Sequence, residues 1–203
     1  EGGMVTTSDK CLWEKMWSYK DHGKNYDLVN EINANKGFRW LHSGFGTNYR
    51  MTELQAAVGR VQLRSMQKWT AQRTLNAKKI LECCEKFEAI IVPYVPDFCL
   101  HAYYKCYVKI IPEKLLSGWS RNKIRDKINE TGVLCFDGSC SEIYLEGAFK
   151  KTGLRPSRRL SAAQTFTNDS LMFLVHPTLS KRDIQKTCDV INDVLISASK
   201  LRI

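Results

Sequence analysis

Apolar side chains at Leu12, Trp13, Met16, Trp17 and Tyr19 recur at helical spacing and predict a first helix, capped at Ser8 or Asp9 and ended by Asp21-His22-Gly23. The stretch GGMVTTSD before it reads as a short strand. Residues 24–47 are polar, aromatic and glycine-bearing, which predicts a long ordered loop with one short helix around Leu28–Ile32. A second stripe then begins: Leu54, Ala57, Val58 and Val61 share one face, Met66 and Trp69 carry it on, and Ala77, Ile80, Leu81, Cys84 and Phe87 renew it. Thr52 and Gln55 fit a capping box, so this helix is expected to start between Met51 and Glu53. Unbroken to Phe87, it would run on the order of 50 Å, long enough to leave one domain and enter another.

Beyond it the period changes. AIIVPYV and AYYKCYVKII are strand-like, SRNKIRDKINETG is a helix with Gly132 as its stop, and VLCFDG and SLMFLVHP are strands, the last closed by Pro177. Ser180 caps a final helix whose apolar face is Ile184, Cys188, Ile191 and Leu195. The order strand, strand, helix, strand, strand, helix predicts a small sheet covered on one face by helices, an α/β molecule with an α+β small domain.

Composition narrows the classes. Of 203 residues, 43% are hydrophobic and 26% charged, as in an ordinary globular chain, and no apolar run approaches the length of a membrane span. Eight cysteines are scattered without a CxxC pair, so no metal site is expected, and many free thiols suit a reducing cytoplasm. Cys140, in GSCSE, is weighed as a nucleophile against the commoner reading of a structural thiol. The net charge of +10 makes phosphate-bearing partners attractive. Its densest patch, KKTGLRPSRR, carries no nucleic-acid-binding motif and is read as a solvated loop.

The stretch SGFGTNYRMTELQAAVG, residues 43–59, concentrates the candidate chemistry. Gly44 and Gly46 would permit close backbone approach and positive φ, Asn48 offers an amide donor, Arg50 a charged fork, and a helix N-terminus follows at once. Together these suggest a phosphate site; a capped loop with Arg50 in a salt bridge is the competing reading.

NYRMTELQAAVGxxQL at 48–63 resembles the signature of the DegT/StrS-type sugar aminotransferases, which use pyridoxal phosphate (PLP). EGGMVTT at 1–7, YKDHG at 19–23, HAYYKCYVKI at 101–110 and FLVHPTLSKRDI at 173–184 resemble other family segments in the same order. The resemblance implies the C-terminal half of a fold-type I enzyme. Residues 1–50 would be a remnant of the large domain with an active-site loop, 51–87 a connecting helix, and 88–203 the small domain. It implies a homodimer that moves an amino group from an amino acid, usually glutamate, to a nucleotide-linked keto-sugar. The Asn48 position would hold the PLP phosphate of the neighbouring subunit, and Arg50, His101 and Ser139 would lie towards substrate.

The cofactor lysine of the family precedes the segment that Glu1 opens, and Lys10, Lys20 and Lys24 stand in the wrong context. No catalytic residue is therefore expected within 1–203, and the isolated chain should hold no cofactor covalently. FDGSCSEIYLEGAF at 136–149 departs from the tyrosine–proline-rich family stretch that shapes the sugar pocket. Two alternatives stay open: a non-catalytic binding or regulatory module, and a basic nucleic-acid-binding domain. Lacking the rest of the large domain, the chain should expose Trp13, Trp17, Val58 and Trp69 and self-associate.

Overall fold

The computed structural model describes residues 2–31, 40–138 and 140–202. The chain forms two compact units, Glu1–Met66 and Gln67–Ile203.

The first unit contains helices α1 (Lys10–Lys20) and α2 (Tyr26–Asn30) and the start of α3 (Glu53–Cys84). Asp9 is the cap of α1, its Oδ1 accepting the Leu12 amide at 3.0 Å. The cap of α3 is the expected box: Thr52 N donates to Gln55 Oε1 at 3.0 Å and Gln55 N to Thr52 Oγ1 at 3.3 Å. Residues 2–8 form no strand, against expectation. Among the described residues no strand pairs with them, and Met4 and Val5 are 86% and 75% exposed. The short helix lies slightly earlier than the pattern suggests; the end of its predicted range, from Ile32, lies outside the described residues.

In this unit no described apolar side chain is buried. Val58 and Trp13 are exposed as expected, Trp13 at 37%, but Trp17 is half-buried; the Tyr26 ring packs edge-on against both tryptophans, at centroid distances of 5.0 Å from Trp17 and 4.7 Å from Trp13. Trp69, in the second unit, is also half-buried.

The second unit holds the core. α3 spans 32 residues, about 48 Å, and ends at Cys84 rather than Phe87. Strands β1 (Ile90–Ile91), β2 (Cys106–Ile110), β3 (Cys135–Phe136) and β4 (Ser170–Phe173) form one antiparallel sheet in the order β1-β2-β4-β3. Cys106 and Cys135 both pair with Phe173, from opposite sides of β4. The strands are shorter than their apolar runs. Pro93 lacks the N–H a ladder needs, and Tyr103, at φ +43°, breaks the extended path before β2.

Helices α4 (Arg121–Glu130) and α6 (Lys181–Ala198) complete the core. Ile124, Ile128, Ile184, Ile191 and Leu195 cluster with Ala77 and Ile80 of α3 and with the inward residues Cys106, Val108 and Ile110 of β2. Ser180 and Asp183 form a reciprocal capping box on α6. One helix escapes the sequence pattern: α5 (Ser161–Asp169), which has no side-chain cap. It packs on β2 and β4, with Phe166 5.8 Å from Tyr107. Tyr107 alternates with the inward residues of β2, so the sheet is covered on both faces there, not on one; all four residues of β4 are buried.

Candidate functional site

The turn Asp21-His22-Gly23 builds the site from below. His22 and Gly23 both have positive φ, +63° and +83°, and reverse the chain tightly at the end of α1, where Gly23 N reaches back to Ser18 O at 2.8 Å. The segment 43–50 is laid onto this turn. Thr47 N donates to Tyr19 O (2.8 Å), Tyr49 N to Lys20 O (3.0 Å), His22 N to Thr47 O (3.1 Å) and Ser43 N to Gly23 O (3.0 Å).

Two glycines make that approach possible. A Cβ on Gly46 would lie 2.3 Å from Gly23 N, and one on Gly23 would lie 1.9 Å from Gly44 O. The sequence singled out Gly44 and Gly46. Neither has positive φ, and Gly44 has open space where a Cβ would stand, so the conformational demand falls on Gly23 and the close approach on Gly23 and Gly46.

The clamp brings Asn48 and Arg50 beside Asp21 and His22. Asn48 Oδ1 accepts from Arg50 N (3.4 Å) and Arg50 Nε (3.3 Å). Arg50 Nη2 lies 3.2 Å from His22 Nε2; because arginine only donates, the imidazole accepts there. Asp21 is 8% exposed, its Oδ1 3.3 Å from Lys24 Nζ and 3.7 Å from Arg50 Nε, charge contacts rather than aligned hydrogen bonds. Burial pushes the Asp21 carboxyl up, but Lys24, Arg50 and Lys20 outweigh it and hold the group below its ordinary value. The salt bridge weighed against a phosphate site is thus present, and it coexists with donors that remain available. Asn48 Nδ2 and Arg50 Nη1 have no partner among the described residues. Asn48, Arg50, Tyr49, Trp17 and Lys20 line a groove of about 1000 Å³ within the first unit.

His101, in the second unit, is exposed; its Nδ1 accepts from Tyr103 N at 2.9 Å, so a neutral ring carries its proton on Nε2. Ser139 lies outside the described residues. Cys140 is exposed, with Sγ 3.9 Å from the Glu146 carboxylate, where an activated nucleophile wants an imidazole or a cation. Lys10 pairs with Glu14, Lys20 lies over the Trp17 ring and Lys24 pairs with Asp21.

The basic patch is exposed as expected, apart from a half-buried Arg155, but two of its arginines are tied to neighbouring groups. Arg155 donates to Tyr144 O and Leu145 O, and Arg159 grips Glu142 through Nε (2.9 Å) and Nη2 (2.5 Å). The Arg159 fork and the Tyr144 hydroxyl hold the Glu142 carboxyl at about 2. Sequence reasoning missed Asp21, which shapes the site beside Arg50, and also Glu142, which pairs with Arg159 in the second unit. Each meets its arginine across an intervening loop, a pairing that local spacing does not encode.

Among the described residues no group of acids, histidines or cysteines is arranged for a metal, and no helix is long and apolar enough to cross a membrane. The solved aminotransferase from Psychrobacter cryohalolentis is 49% identical, covering 94% of this chain and 50% of its own, with a TM-score of 0.85. NtdA from Bacillus subtilis, solved with bound cofactor PMP, shares the fold at 18% identity and TM-score 0.72, over 94% of this chain and 41% of its own. The erythromycin biosynthesis sensory transduction protein EryC1 of Saccharopolyspora erythraea is 25% identical, covering 89% of this chain and 44% of its own. The chain spans about half the length of the curated relatives it matches. A family model matches residues 1–192, and the chain belongs to the DegT/DnrJ/EryC1/StrS aminotransferase family.

Proposed function

We propose that residues 1–203 are the C-terminal half of a PLP-dependent aminotransferase that acts as a cytoplasmic homodimer. It would transfer an amino group from an amino acid, glutamate by family habit, to a nucleotide-linked keto-sugar. In this reading residues 1–50 belong to the large domain, 51–87 form the connecting helix and 88–203 the small domain. The observation that carries the reading is Asn48: its carboxamide oxygen is committed to Arg50, and its Nδ2 is left to donate on the wall of an open groove.

The residues present fit a phosphate. The amide donor and the Arg50 charge favour a dianion, and the capped N-terminus of α3 that follows adds the positive end of its dipole. Bound PLP supplies an electron sink that no side chain offers. Asn48 would hold and orient the cofactor phosphate across the dimer, and the charge around Arg50 would favour the anionic form. His101, its proton fixed on Nε2, would face substrate as a hydrogen-bond donor, as would Ser139. The lysine that anchors the cofactor is assigned to residues preceding Glu1 in a longer chain, because Lys10, Lys20 and Lys24 serve α1 and its exit turn.

A regulatory module is the second reading, favoured by the EryC1 relative, which carries a sensory transduction name. One experiment separates them. The longer chain is loaded with PLP, reduced with borohydride, digested and mapped, and its amino transfer from glutamate to nucleotide-linked keto-sugars is followed. A cofactor adduct on a lysine before Glu1, with turnover, supports the enzyme. An adduct within 1–203 overturns the lysine assignment, and binding without turnover favours the regulatory module.

A further inference from the structure

The Arg50 guanidinium is spent before any ligand arrives. The edge that a carboxylate or phosphate takes side-on is the pair Nε and Nη2. Nε is 3.3 Å from Asn48 Oδ1 and 3.7 Å from Asp21 Oδ1, and Nη2 is 3.2 Å from His22 Nε2. A ligand using that edge would have to displace all three. Meanwhile Asn48 Oδ1 faces two donors of Arg50, its backbone N–H and Nε. A flipped amide would set NH₂ against both, so the orientation of the carboxamide is imposed by Arg50.

Behind Arg50 stands Asp21, a buried carboxylate kept charged by the cations around it, and its backbone pairs with that of Asn48 in an antiparallel bridge.

We infer that Arg50 is a positioning residue rather than a ligand fork. Asp21 and His22 hold the guanidinium, the guanidinium fixes Asn48 Oδ1, and Nδ2 is thereby aimed into the groove. The inference rests on the reading of Asn48 as the cofactor-phosphate donor and deepens it: Arg50 contributes to ligand binding through Asn48. Lysine cannot replace it, since one ammonium has no fixed fork to span Asn48 and His22 together.

The test is a double-mutant cycle on the apo form of the full-length protein, titrated with PLP and read by quenching of tryptophan fluorescence, with thermal melting to verify folding. Asn48→Ala is expected to weaken PLP binding about tenfold, the loss of one charge-assisted hydrogen bond. Arg50→Lys is expected to weaken it about three- to tenfold in the parent, and to add nothing in the Asn48→Ala background. His22→Gln, which keeps an acceptor for Nη2, should retain affinity where His22→Leu loses it; this pair carries the test if Arg50→Lys does not fold.

Further weakening by Arg50→Lys in the Asn48→Ala background makes Arg50 a direct ligand and overturns the inference. A silent Arg50→Lys beside a weakened Asn48→Ala overturns it while leaving the Asn48 reading intact. A silent Asn48→Ala removes that reading, and the inference with it.

Discussion

At the scale of single residues, contact between two backbones sets the tolerance of the site. Gly46→Ala drives a Cβ to within 2.3 Å of Gly23 N and 2.7 Å of Tyr19 O, neither of which can yield. It is expected to destabilise the clamp by about 1–3 kcal/mol, whereas Gly44→Ala, with nothing within 4 Å, should be neutral. Amide hydrogen exchange at Thr47 and Tyr49, which bond back to Tyr19 and Lys20, reads the difference. The sequence already pointed to Asn48 and Arg50, because a donor-rich turn before a capped helix is a local pattern. It could not tell which glycine mattered, since clearance depends on the chain brought opposite. Asp21 read only as part of a helix stop; its charge contact with Arg50 exists because the loop between them folds back.

At the scale of elements, caps and periodicity were legible and coverage was not. The Thr52–Gln55 box and the Ser180 cap formed as read, Asp183 completing at Ser180 a box the sequence reading did not name, and Ser180→Ala should cost about 1 kcal/mol, measured by denaturant midpoint. The strand at the N-terminal end failed because pairing is non-local. α5 was missed because a short, uncapped helix leaves little periodic trace.

The segment around Glu142 is an ion-paired element whose pH response follows from its charges. Its carboxyl sits at about 2 when folded, against an ordinary 4.5. A depressed acid stabilises fully above its unfolded value and loses that contribution as pH falls. Resistance of 140–160 to proteolysis by an acid-active protease should therefore decline between pH 4.5 and 2. Arg159→Gln should abolish that dependence and loosen the segment at neutral pH.

At the scale of the whole molecule, buried apolar side chains belong to the second unit, while large apolar side chains are exposed in both. Ile191→Ala, at a fully buried α6 position, is expected to cost about 2–5 kcal/mol. The polypeptide of residues 1–203 exposes Met4, Val5, Leu54, Val58, Val61 and Met66, and should associate as concentration rises in sedimentation velocity; a concentration-independent monomer would contradict this. The eight thiols divide by burial: Cys84, Cys106, Cys135 and Cys188 are buried, while Cys11, Cys99 and Cys140 are exposed and Cys83 is half-buried. Burial pushes Cys106 and Cys135 up to about 12, so their reactive thiolate is doubly withheld. The molecule thus carries its own strain gauge: a colorimetric thiol reagent will count the outer sulfurs at once and the inner four only as fast as the sheet and its helices part, timing the opening of the core without any label being added.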